Sequence, residues 1–97
     1  MNYRFIILQT AIDDTLDIVD HLNQQKVDLG DQFLDDLEDC YSYIRLFPFG
    51  FQVRKGRYRH GYLKVFPMRV IYEVDAGSIF VYRIRHTSRR ESEQFGP

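Results

Sequence analysis

Three arginines in the second half of the chain could together bind a phosphate group. Arg69, Arg83 and Arg85 fall on the same side of two predicted strands, and Arg69 is expected to lie opposite Arg85. The guanidinium group is planar, stays charged and matches the geometry of phosphate oxygens. Two like charges placed opposite each other destabilise a strand pair, so such a pair suggests a bound anion. The alternative is that these arginines extend into water or pair with the acids Glu73, Glu91 and Glu93.

His86 is the second candidate for chemistry in this region. Its charge changes near neutral pH, so it could act as a general acid or base. The alternation of side chains along its strand places it toward the core, where a structural histidine is as well supported as a catalytic one. The other histidines, His21 and His60, and the single cysteine, Cys40, show no spacing that would hold zinc. No nucleotide-binding motif is present, so the sequence predicts neither a metal nor a cofactor.

The two halves of the chain carry opposite charge. Residues 1–50 contain ten acidic and three basic residues, whereas residues 51–97 contain ten basic and four acidic residues. Asymmetry of this kind indicates an anionic partner for the basic half. Two solvated faces that differ in sign would give the same pattern, and charge alone does not separate the two interpretations.

Length and composition predict a single domain, residues 1–97, in the cytoplasm. The chain has 97 residues, of which 44% are hydrophobic, enough for one core. No apolar run approaches the roughly 20 residues of a membrane span, so no membrane association is expected. The N-terminal segment does not resemble a signal peptide. The single cysteine fits a reducing compartment.

Two helices are predicted after a short first strand at Tyr3–Leu8. The first helix has Thr10 as its N-cap. The second begins after Asp28 or Asp31 and ends at Pro48, and the short connection between the helices predicts an antiparallel hairpin. Apolar stripes at helical spacing comprise Ile12, Leu16, Val19 and Leu22 in the first helix, and Phe33, Leu37, Cys40 (or Tyr41), Ile44 and Phe47 in the second. The other side of the second helix is expected to carry Asp35, Asp36 and Asp39.

Alternating patterns predict three further strands, at Tyr58–Phe66, Met68–Asp75 and Ser78–His86. The core-facing set is expected to be Met68, Val70, Tyr72, Val74, Phe80, Tyr82, Ile84 and His86. The opposite side is expected to be an open face that carries Arg69, Ile71, Glu73, Val81, Arg83 and Arg85. A slip of one residue would bury arginines in the core, which disfavours the other register. The predicted fold is α+β with the order β-α-α-β-β-β, in which the N-terminal helical hairpin packs on one face of a mainly antiparallel sheet.

Three strings of sequence, taken in order, resemble the RelE/ParE superfamily of toxins from type II toxin–antitoxin systems. Residues 33–38 (FLDDLE), ahead of a Phe-Pro stop, look like the second helix of ParE-like toxins. Residues 64–74 (KVFPMRVIYEV) are similar to a family strand with a Phe-Pro step and an Ile-Tyr core. Residues 86–89 (HTSR) look like the ending that follows the last strand. The resemblance covers nearly the whole chain and is closer to the ParE-like plasmid-stabilisation toxins.

The resemblance implies a cytoplasmic toxin that a cognate antitoxin neutralises, and it leaves three functions open. ParE-like members inhibit DNA gyrase and are not nucleases. RelE-like members are metal-independent endoribonucleases that cleave mRNA on the ribosome. A third possibility is an inactive member that only binds the antitoxin. A homodimer and a toxin–antitoxin hetero-oligomer both remain open.

The resemblance also assigns provisional roles to individual arginines. For a RelE-like nuclease, the catalytic candidates are Arg69, at the scissile phosphate, with Arg85, His86 and Arg89. For target binding, the candidates are Arg69, Arg83, Arg85, Arg89 and Arg90. RelE-like enzymes often carry a tyrosine or histidine in the tail, where this chain has Phe95, which has no ionisable group. This departure, together with the Phe-Pro step and the HTSR ending, favours ParE-like inhibition of gyrase.

Overall fold

Seven elements follow one another in the computed structural model, which describes residues 2–87. They are β1 (Arg4–Ile7), α1 (Gln9–Gln25), α2 (Leu29–Leu46), β2 (Val53–Lys55), β3 (Tyr58–Tyr62), β4 (Met68–Asp75) and β5 (Ser78–His86). The strands form one sheet in the order β1-β5-β4-β3-β2. β1 is parallel to β5, and the other pairs are antiparallel. The predicted α+β fold, with the hairpin of helices on a mainly antiparallel sheet, is confirmed.

One strand was not predicted from the sequence, and another is shorter than expected. β2 has only three residues, of which two are basic, so it gives no alternating signal; short, charged strands are typical of sheet edges. β3 ends at Tyr62 rather than at Phe66. The backbone N–H groups of Val65 and Phe66 donate to the carboxylate of Asp36 at 3.0 and 2.8 Å. Because a helix side chain holds these groups, the segment leaves the strand ladder.

The ends of the helices are set by backbone contacts rather than by the predicted side-chain cap. α1 begins at Gln9, directly after β1, with Leu8 as its N-cap, so the prediction of Thr10 as the cap is wrong. The hydroxyl of Thr10 instead donates to the carbonyl of Tyr82 at 2.6 Å. At the start of α2, the N–H of Gly30 donates to the side chain of Asn23 at 2.8 Å. A Cβ at position 30 would lie 2.7 Å from the same side chain, so only glycine permits this approach of the two helices.

The core lies between the helical hairpin and the sheet. The predicted stripe of α2 is confirmed as far as Ile44, but Phe47 lies past the end of the helix and is 54% exposed. The α1 stripe is wrong in its first half, where Ile12 and Leu16 are 38% and 62% exposed. The helix is rotated so that Ala11 faces inward. The buried apolar set includes Ala11, Leu22, Phe33, Leu37, Cys40, Ile44, Val70, Tyr72, Ile79, Val81 and Ile84.

A bulge in β5 changes which of its residues face the core. The pairs Ile71–Arg83 and Tyr72–Val81 are consecutive, so Tyr82 is an extra residue in β5. Beyond the bulge the alternation of β5 is reversed. Val81 is therefore fully buried in the core, while Phe80 pairs with Glu73 on the opposite face. The prediction was right for Ile84 and wrong for Phe80, Tyr82 and Val81, because a period of two carries no signal for one inserted residue.

Candidate functional site

The sheet face opposite the helices gathers three predicted arginines in rows across the strands. Residues paired directly across antiparallel strands point to the same side. The pairing gives one row of Tyr62, Arg69 and Arg85, a second of His60, Ile71 and Arg83, and a third of Glu73 and Phe80, beside the bulged Tyr82 and the Tyr58 ring that packs on it. These ten residues are called the arginine face below. The predicted position of Arg69 opposite Arg85 is confirmed.

The centre of the arginine face is not open to solvent, contrary to the sequence-based expectation. Arg69 is only 2% exposed, and its neighbour Ile71 is fully buried. Arg69 lies on the central strand β4, with Tyr62 and Arg85 on either side, and its guanidinium Nη1 donates to the carbonyl of His86 at 3.0 Å. Arg69 is therefore held by the protein and ties the end of β5 to β4.

Arg83 is clamped at the edge of the sheet by the helix that crosses it. β5 extends past the end of β1, and α1 passes beside this part of the strand. The carboxylate of Asp14 accepts two hydrogen bonds from the guanidinium of Arg83, at 2.8 and 3.0 Å. It also accepts one from the backbone N–H of Ile84 at 3.0 Å. The hydrogen bonds to Asp14 raise the pKa of Arg83 above its ordinary value. Asp14 thus pairs with the arginine and also binds a backbone N–H of β5 in the part of the strand that lies beyond the end of β1.

Glu73 holds the far end of the arginine face together. It accepts a hydrogen bond from the hydroxyl of Tyr82 and forms an ion pair of 2.9 Å with Arg57. The ring of Tyr82 also packs edge-to-face on Tyr58, with centroids 5.3 Å apart. The bond to Glu73 is the main reason why the pKa of Tyr82 is raised to about 12, and burial adds to it. A phenol in this state is a poor base near neutral pH.

His86 does not share the arginine face. It pairs with Met68 at the end of β4, on the helix side of the sheet, as its alternation predicted. There it borders a cleft of about 500 Å³, together with Arg85 and with Ile18 and His21 of α1. The strand register therefore places Arg69, Arg83 and Arg85 on one face and His86 on the other, although Arg85 and His86 both line this cleft at the end of β5. The two remaining candidates, Arg89 and Arg90, lie outside the described residues.

The sequence did not indicate that Asp36 holds the segment that leads into β4. It is 6% exposed, whereas the sequence analysis placed it with the acids on the outer side of α2. Its two hydrogen bonds hold the segment before Pro67, and the carbonyl of Pro67 in turn accepts the N–H and hydroxyl of Thr87, at 2.8 and 3.0 Å. This chain of contacts runs from α2 to the end of β5. The spacing of Asp36 indicated its burial, because it lies three residues after Phe33 and four before Cys40 and therefore on the buried stripe of α2.

The described residues offer no metal site. Among residues 2–87, histidine, cysteine and acidic side chains form no group that could hold a metal ion. Burial, with a contribution from Asp36, raises the pKa of the Cys40 thiol to about 12, so it is not a thiolate near neutral pH. Within the same range, neither helix is long and apolar enough to cross a membrane.

Comparison with known families assigns the chain to a class of toxins. The profile described as the ParE toxin of the type II toxin–antitoxin system, parDE, matches residues 5–91. Since this match covers most of the chain, the protein belongs to the ParE toxin family, within the RelE/ParE superfamily. The resemblance inferred from the three sequence strings is confirmed.

Two solved structures resemble this chain. The chromosomal ParDE toxin–antitoxin system from P. aeruginosa contains a chain with 16% sequence identity and a TM-score of 0.79, and the match covers 89% of this chain and 97% of that one. A chain of the archaeal RelE–RelB complex from Pyrococcus horikoshii OT3 has 19% identity and a TM-score of 0.47, over 93% of this chain and 100% of that one. At its level of identity, the first match shows a shared fold. Comparison with curated protein sequences gives no match.

Proposed function

We propose that this toxin acts by binding and inhibiting DNA gyrase, and that a cognate antitoxin neutralises it. Membership of the ParE family supports this proposal, since ParE-like toxins act on gyrase. The observation that carries it is the engagement of the acid–base groups around Arg69, since Glu73 is bound by Arg57 and Tyr82 and His60 is only 1% exposed. Arg85 is half-buried and Arg57 is exposed, so the rim of the arginine face is suited to bind an anionic surface.

RNA cleavage without a metal requires proton transfer beside a stabilised phosphate. The 2′-hydroxyl must lose a proton, the 5′-oxygen must gain one, and cations must stabilise the charge between them. Of these three requirements, arginines meet only the last, the stabilisation of charge by cations. Of the acid–base groups described on this face, Tyr82 has a pKa raised to about 12, Glu73 is engaged by Arg57 and by Tyr82 itself, and His60 is only 1% exposed. These contacts favour binding over catalysis.

One observation favours the nuclease as a second candidate. Tyr62 lies in the same row as Arg69 and Arg85, and its side chain is 43% exposed. A phenol in this row could donate a proton to a leaving oxygen while an arginine holds the phosphate. If the chain cleaves RNA, Tyr62 is the candidate for proton transfer and the half-buried Arg85 is the candidate for phosphate contact, since Arg69 is buried and held by the carbonyl of His86.

Induction of the toxin without its antitoxin, followed by mapping of mRNA 5′ ends, tests the two candidates. The proposal predicts growth arrest, DNA damage or loss of supercoiling, and no new cleavage sites. Cleavage sites in phase with codons would support the nuclease instead, and Tyr62→Phe would then abolish them while leaving the fold intact. The matched control is Tyr43→Phe, which removes a hydroxyl from a tyrosine of α2 with the same exposure, outside the arginine face.

The surface that the antitoxin covers is proposed to include the outer side of the helical hairpin. Ile12, Leu16 and Leu34 are 38%, 62% and 40% exposed and border a groove of about 250 Å³ between the two helices. Adjacent apolar side chains on a monomer are unfavourable in water and are typical of an interaction site. An amphipathic helix or extended segment of the antitoxin would bury them.

A further inference from the structure

A further cavity, of about 310 Å³, lies at the edge of the sheet between α2 and β3. The pairing of β2 with β3 involves only Tyr58 and Arg59, so the edge of β3 at Gly61 and Tyr62 lies beyond the end of β2. The thiol of Cys40 approaches the carbonyl of Gly61 at 3.8 Å from the helix side. Within residues 2–87, side chains rather than another strand line the gap between helix and strand at this edge.

Aromatic rings form the walls of this cavity. The rings of Tyr43 and Phe51 have centroids 5.2 Å apart and planes 62° apart, so they form two walls at a steep angle. Tyr62 lines the cavity from β3. Tyr43 and Tyr62 are each 43% exposed, so solvent and a ligand can reach them. The faces of aromatic rings carry negative potential and attract cations.

Two carboxylates lie beside these rings. Asp36 and Asp39 line the cavity from α2, three residues apart and therefore on one side of the helix. The carboxylate of Asp36 is fixed by the N–H groups of Val65 and Phe66, whereas Asp39 is exposed. Lys64 also borders the cavity, but it is exposed on a long, flexible stem and can turn toward water. The fixed groups of the cavity therefore favour a cation over an anion.

We infer that this cavity binds the side chain of a lysine or arginine from a partner polypeptide. The alkyl stem would pack against Tyr43, Phe51 and Tyr62, and the charged head would lie near Asp39. Such a side chain satisfies both features of the site, because its stem is apolar and its end is cationic. A purely apolar side chain would gain nothing from the charge of Asp39, and an acidic one would be repelled by it.

Titration of the amide resonances of the full chain tests this inference. The ligand is the N-acetyl N-methylamide of lysine, and the matched comparison is the same derivative of norleucine, which has the stem without the ammonium group. We expect shifts for residues 39–43 and 61–64, and binding of the lysine derivative that is at least about threefold tighter, the range of a half-exposed cation–π contact. Equal binding of both derivatives, or no shifts at the highest soluble concentration, would overturn the inference.

Two variants separate the site from general charge effects. Asp39→Asn is expected to weaken binding of the lysine derivative by about threefold, since it removes one exposed charge at close range. Asp35→Asn, an exposed position of the same helix outside the cavity, should leave binding unchanged. Tyr62→Leu keeps an apolar side chain but removes the ring, and should weaken the lysine derivative more than the norleucine derivative. An equal effect of Asp35→Asn would mean that only the acidity of the helix is sensed, and would contradict the inference.

Discussion

The two faces of the sheet are stabilised by different kinds of interaction. On the helix side, Val70, Tyr72 and Ile79 are fully buried in an apolar core. On the arginine face, Arg69 and Glu73 are almost as deeply buried, at 2% and 4% exposure, but they are held by hydrogen bonds and ion pairs. Apolar burial tolerates many arrangements, whereas buried charge requires particular partners. The arginine face is therefore the more specifically organised of the two faces.

The largest effect on stability is expected from truncation in the apolar core. Phe33→Ala would remove a fully buried ring that packs edge-to-face on Phe66 at 5.7 Å. The free energy of unfolding should fall by about 3–5 kcal/mol, measured by urea denaturation. A loss below about 1 kcal/mol would mean that the hairpin is not packed on the sheet as described.

A smaller effect is expected at the charged edge of the sheet. Asp14→Asn keeps the shape of the side chain but removes the charge that holds Arg83 and the N–H of Ile84. Because the pair is partly exposed, we expect a loss of about 1–2 kcal/mol in unfolding free energy. Asp13→Asn, which faces solvent one residue earlier, is the control and should change stability by less than about 0.5 kcal/mol. Similar losses for both variants would argue against the clamp.

The arginine face also predicts a dependence of stability on alkaline pH. The pKa of Tyr82 is raised to about 12 in the folded protein, above the ordinary value of about 10 that applies to the unfolded chain. Its contribution is therefore fully present below about pH 10 and is lost as the pH rises toward 12. Thermal denaturation between these values should show a steeper decline for the wild type than for Tyr82→Phe. Parallel curves for the two proteins would contradict the bond to Glu73.

The smallest effect on stability is expected on the outer side of the helices. Leu16→Ala shortens a side chain that is 62% exposed, so unfolding free energy should change by less than about 0.5 kcal/mol. If the antitoxin covers this groove, the same variant should weaken the complex, measured by calorimetry with the cognate antitoxin. Lys26→Ala, in the exposed connection between the helices, serves as control. Unchanged affinity for Leu16→Ala would remove the groove from the proposed interface.

Element order, strand register near Arg69 and the stripe of α2 could be predicted from the sequence because they follow from regular periodicity. The errors lie where the chain departs from it. The extra residue at Tyr82 turns Val81 to the core side of the sheet, opposite to the prediction. The start of α1 at Gln9 is set without a side-chain cap, so the sequence pattern placed it wrongly. The role of Asp14 could not be predicted, because it depends on a helix crossing a strand 69 residues away in sequence.

The candidate site was predicted in part for the same reason. Alternation alone placed Arg69, Arg83 and Arg85 together and put His86 on the other side. It carried no information on burial or on which acid pairs with which arginine. The clamp on Arg83 and the tie from Arg69 to the carbonyl of His86 appear only in three dimensions.

The most direct test of the proposed function is the supercoiling of relaxed plasmid by purified gyrase in the presence of the toxin. We expect inhibition that increases with toxin concentration, is relieved by the antitoxin and is weakened by Arg85→Glu but not by Lys26→Glu, a charge reversal away from the arginine face. Unimpaired supercoiling at toxin concentrations well above those of gyrase would contradict the proposal, and would do so decisively if the same preparation cleaved ribosome-bound mRNA.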